Sequence, residues 1–82
     1  MLPNGLQLFI ADVVDEETDR QEIWYIVGRT YNSSFNRFIK WANNKWYRYA
    51  YYFNEADEGT IKDFVSEHKN IKAGIYWYID GI

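Results

Sequence analysis

Between Arg29 and Phe53 the chain places ten aromatic side chains and five basic ones, with no acidic residue in the same 25 positions. Any fold must bury much of this stretch, because aromatic side chains contribute roughly 150–250 Å² each to a core or an interface. It must also keep Arg29, Arg37, Lys40, Lys45 and Arg48 in water or in ion pairs. Cysteine is absent, so neither disulfides nor thiolate metal sites contribute. A chain of 82 residues forms one domain. Four Trp, eight Tyr and five Phe compensate for its small size with large side chains.

Charge is distributed in blocks. Residues 1–28 carry a net −5, residues 29–53 a net +5 and residues 54–82 a net −3. The blocks either neutralise one another between adjacent elements or set up local fields that steer a partner. No basic region precedes the short apolar run Leu8 to Ala11, and no run approaches the ~18 apolar residues of a membrane span. A cytoplasmic protein without membrane contact is the expectation.

The first strand is expected over Leu6–Val14, apolar on both faces as in the centre of a sheet, with Asp12 as its misfit. A polar loop, Asp15–Arg20, leads to a second strand over Glu22–Tyr31, where Gly28 marks a bulge or a close backbone approach.

The next segment admits two readings. Ser34 before Phe35, Phe38, Ile39 and Ala42 has the form of an N-cap followed by helical spacing. The asparagines at 36, 43 and 44 are poor helix formers, and the helix so defined spans barely two turns. The preferred reading is a hairpin, because Asn43-Asn44 suits a two-residue type I′ turn. Trp41 and Trp46 then face each other at a non-hydrogen-bonded pair. The hexapeptide Trp41–Trp46 resembles the turn of designed tryptophan-zipper hairpins. In this register Phe38, Tyr47, Tyr49, Tyr51 and Phe53 form the core face, and Arg37, Trp41, Trp46, Arg48 and Tyr52 share the exposed one.

A loop over Asn54–Gly59 precedes a helix with Thr60 and Asp63 at capping-box spacing. Its stripe is Ile61, Phe64, Val65 and His68, and Asn70 suits the left-handed residue at its end. Ile75–Ile79 reads as a final strand. The expected fold is α+β: an antiparallel sheet of about five strands in the order β-β-β-β-α-β, with one helix packed on one face.

Catalysis has little to work with. His68 is the only histidine, and no nucleophile-elbow pattern supports a Ser-His-acid arrangement using Ser33, Ser34 or Ser66. The acidic loop lacks the spacing, glycine and distal glutamate of a calcium-binding EF-hand. No catalytic residue, metal ligand or cofactor is therefore assigned.

The expected function is a non-enzymatic protein-binding module acting through Arg37, Trp41, Trp46, Arg48 and Tyr52, since interfaces and their hot spots favour Trp, Tyr and Arg. An exposed edge strand would add backbone pairing, to a protein partner or to a second copy as a homodimer. A tiny, cysteine-free, Asn- and Tyr-rich chain also has the general look of small phage or mobile-element inhibitors of a host protein, such as anti-CRISPRs. The alternative is a single-stranded nucleic-acid-binding protein that stacks bases on Trp and Tyr beside Arg and Lys. Its negative net charge counts against that alternative. If Trp41 and Trp46 are exposed they are the site; if buried, they are core.

Overall fold

The computed structural model describes residues 2–77. Strands β1 (Gln7–Asp15) and β2 (Arg20–Gly28) form an antiparallel hairpin. Helix α1 (Tyr31–Lys45), strand β3 (Tyr49–Glu55), helix α2 (Glu58–Glu67) and strand β4 (Gly74–Trp77) follow. The sheet order is β3-β1-β2-β4, and every neighbouring pair is antiparallel. The α+β class and the antiparallel sheet agree with expectation, as does the central place of β1. Of the final strand expected over Ile75–Ile79, Tyr78 and Ile79 lie outside the described residues.

Alternation along the strands gives the sheet two apolar faces, each with its own helix. On one face Phe9, Ala11, Val13, Ile26 and Phe53 pack with Phe38, Ala42 and Trp46 from α1 and its C-terminal end. On the other, Leu8, Tyr25 and Val27 pack with Phe64 of α2 and with Leu2, Leu6 and Ile71. Phe9, Phe38 and Phe64 are fully buried.

The hairpin expected over residues 35–53 is corrected: its first arm and its turn belong to α1, leaving four strands and two α-helices among the described residues. The helix begins four residues earlier than the Ser34 cap suggests. Thr30 is the N-cap, and its Oγ1 accepts a hydrogen bond from the Ser33 N–H at 3.1 Å. Starting at Tyr31 makes fifteen residues, about four turns, where the shorter window offered barely two. The helical asparagines at 32, 36, 43 and 44 all lie on the solvent side, while Phe38 and Ala42 are buried against the sheet. Each exposed Asn costs at most about 0.7 kcal/mol of propensity, against roughly 1.5–3 kcal/mol gained by burying one large apolar side chain. Burial decides the conformation.

Gly28 is a close approach and not a bulge, since β2 pairs in regular register with Gln7 opposite it. Helix α2 starts at Asp57, whose carboxylate accepts from the Thr60 N–H at 2.8 Å, so the cap lies three residues before the expected Thr60. Asn70 adopts the left-handed conformation (φ 56°), as its position after the helix implied. His68 ends α2 with its ring stacked on Phe64 at 4.0 Å.

Candidate functional site

The five residues assigned to one exposed face are dispersed by the fold. Trp46 is 7% exposed and belongs to the core under α1, with Trp41 half-buried against it at 5.3 Å between ring centroids. The shared exposed Trp/Arg face is thereby corrected: Trp46 is buried in the core and Trp41 is half-buried against it. Helix and hairpin bring these two rings together equally well, so their spacing could not distinguish a buried pair from an exposed one. Arg37 lies on the solvent side of α1. Arg48 stands in the connection before β3, with its Nε 3.7 Å from a Glu17 carboxylate oxygen. Tyr52 projects from the opposite sheet face and is 75% exposed.

Arg48 and Tyr52 nevertheless both belong to the β3 segment, Arg48 just before the strand and Tyr52 within it. In the sheet order β3 is terminal, and among the described residues it pairs with β1 alone. Which of its backbone groups face outward follows from two hydrogen bonds at the ends of the ladder. The Glu16 N–H donates to the Arg48 carbonyl and the Ala56 N–H to the Leu8 carbonyl, both at 3.0 Å. Hydrogen-bonded pairs alternate in an antiparallel ladder, so Ala50, Tyr52 and Asn54 turn their backbone groups toward β1. Those of Tyr49, Tyr51 and Phe53 point away from the sheet. The Phe53 carbonyl meets the Tyr31 hydroxyl at 3.5 Å.

Beside this edge the sheet is only partly covered. Helix α2 packs over the Leu8–Tyr25–Val27 end of its face, leaving Val14, Gln21, Ala50 and Tyr52 half-buried or exposed. A shallow groove of about 420 Å³ is lined there by Asp12, Val14, Gln21, Ala50, Tyr51 and Tyr52. Gln21 Nε2 donates to Asp12 Oδ1 at 2.7 Å, which satisfies the strand's one acidic misfit. Tyr47 is 86% exposed at the approach to β3. The core place expected for Tyr47 and Tyr51 by alternation is corrected: Tyr47 lies in the connection before β3, and Tyr51 is 39% exposed although its ring packs against Phe35 and Phe38 on the α1 face.

Ser34 is buried beneath α1, Ser66 Oγ donates to the Asp63 carbonyl, and His68 lies on the α2 side of the sheet. Among the described residues no group of three or more His, Cys, Asp or Glu could hold a metal ion. No helix of the described residues is long and apolar enough to cross a membrane. The opposed charge blocks meet in part, through Arg48 with Glu17 and Lys45 with Glu22 at 4.0 Å.

No family model, curated protein or solved structure matches this chain.

Proposed function

We propose that the chain is a non-enzymatic protein-binding module that receives an extended segment of a partner protein as an additional strand on β3. The observation that carries this reading is the outer edge of β3, with the backbone groups of Tyr49 and Tyr51 directed away from the sheet. Strand addition draws affinity from such main-chain groups and specificity from the side chains flanking them. Tyr47, Arg48, Tyr51 and Tyr52 supply flanking side chains of the types that dominate interface hot spots. Native sheets usually protect an edge of this length with proline, a bulge or an inward-pointing charge. Strand β3 contains no proline, keeps regular register throughout and carries its one charge at the last residue, Glu55.

Single-stranded nucleic acid receives less support from the same surface. The cation nearest the exposed tyrosines, Arg48, is paired with Glu17, and Asp12 lies directly across the ladder from Tyr52. Arg37 and Lys40 are on α1, across the sheet. Backbone phosphates require cations beside the stacking platform.

Selection of a displayed peptide library on the immobilised chain, followed by amide hydrogen exchange on the complex, tests the proposal. A bound strand slows exchange at Tyr49, Tyr51 and Phe53, while Ala50, Tyr52 and Asn54 are already protected by β1. Tyr51→Pro removes an outward N–H without touching the β1 ladder and should abolish binding. A selected peptide that leaves the three outward amides unchanged would sink the proposal.

A further inference from the structure

We propose that the tryptophan cluster at the C-terminal end of α1 is a recognition site for a methylated lysine side chain, which Lys45 occupies as a resident competitor. The ammonium of Lys45 lies 5.3 Å from the ring centroid of Trp24, 5.9 Å from Trp41 and 5.3 Å from Trp46. Three indole rings from β2, α1 and the α1 cap thus converge on one cation. Closing a core calls for no such convergence, since a lysine stem can cover a single ring and leave its head in water.

The walls are held in place independently of Lys45. Trp24 packs edge-on against Trp41 at 4.6 Å, and Trp77 backs Trp24 from β4 at 4.5 Å. Trp41 meets Trp46 at 5.3 Å. The Trp24 indole N–H donates to Glu22 Oε1 at 2.9 Å, which fixes both the ring and a carboxylate at the rim. That carboxylate side chain is only 14% exposed and supplies the negative charge of an aromatic cage.

The occupant fits the walls less well than the walls fit a cation. Lys45 Nζ stands 4.0 Å from Glu22 and makes no hydrogen bond among the described residues. The Lys45 side chain is still 36% exposed, so its primary ammonium keeps part of its hydration and lies beside the rings without being enclosed by them. A trimethylated ammonium has no N–H to satisfy, and its attraction to ring faces is the chemistry such cages use. Glu22, in a chain of net charge −3, favours a cationic side chain over a phosphocholine headgroup, whose phosphate it would repel.

The test follows the indole N–H resonances of Trp24, Trp41 and Trp46 during titration with N-acetyl-trimethyllysine amide. Unmethylated lysine amide, phosphocholine and sodium chloride serve as comparison arms. The native chain should show saturable shifts with trimethyllysine, weaker ones with lysine and phosphocholine, and none with salt. Lys45→Met keeps the stem but removes the competing charge, and should tighten trimethyllysine binding by about tenfold. Should that variant fail to fold, Glu22→Gln in the presence of Lys45 should weaken binding several-fold. Absence of a saturable shift in the folded native chain overturns the proposal, as does a preference for phosphocholine.

Discussion

A β-carbon placed on Gly28 would overlap the hydroxyl of Ser34 and stand 3.2 Å from the Ser34 Cβ. The contact joins the end of β2 to the first turn of α1 and sets how closely helix and sheet approach. Gly28→Ala should therefore cost about 1–3 kcal/mol, as overpacking does. Urea unfolding measures the loss. In a Ser34→Ala background the overlap with the hydroxyl is gone and only the Cβ contact remains, so the penalty should shrink by about 1 kcal/mol. Equal penalties in the two backgrounds would deny the contact.

Ser34 is 1% exposed, and its hydroxyl has no hydrogen-bond partner among the described residues. A buried polar group left unpaired is a net cost. Ser34→Ala alone should raise stability by about 0.5–1 kcal/mol, helped by the better helix propensity of alanine. A loss of stability on the same substitution would mean the hydroxyl is satisfied.

Core and surface aromatics should separate sharply. Trp46→Ala removes a ring that is 7% exposed and should cost about 3–5 kcal/mol, enough to threaten folding in a domain this small. Tyr52→Ala, at 75% exposure, should leave stability within about 0.5 kcal/mol of the native value. Paired thermal melts decide whether the tryptophan belongs to the core and the tyrosine to the surface.

Two groups give stability a pH dependence of known sign. The Thr60 backbone N–H, and secondarily its side chain, hold the Asp57 carboxyl below its ordinary 3.8. Its contribution is complete above that value and is lost as pH falls through the lower folded-state pKa. Asp57→Asn keeps the cap without the titration, so its denaturation midpoint should fall less than the native one between about pH 5 and about pH 2. At the other end, burial and secondarily the neighbouring Tyr51 raise Tyr49 above 10.0. Its neutral form is favoured in the fold, so stability is lost as pH rises beyond about 10. Tyr49→Phe should flatten that alkaline limb in the same assay.

By itself the sequence determined the chain's local chemistry. Apolar residues on both faces over Leu6–Val14 pointed to a central strand and Asn70 to a left-handed helix end, while Gly28 allowed a bulge or a close approach and the packing of Ser34 made it the second. Each is a property of a few adjacent residues. The conformation of residues 31–45 was not local in that sense. Asn43-Asn44 permits a turn, and helical spacing competes with it until the exposed face of β1 and β2 is present to bury Phe38 and Ala42. The same step reversed the candidate surface. Trp41 and Trp46 turned toward the sheet because α1 and its C-terminal cap carry them onto the apolar face formed by Phe9, Ala11, Val13 and Ile26. Tyr52 stayed outside because α2 covers only the Leu8–Tyr25–Val27 end of its face, and the outward backbone of Tyr51 stayed open because β3 is the last strand of the sheet. Strand order is a relation between distant segments, and only the tertiary structure decides which aromatic stretch is left without a neighbour.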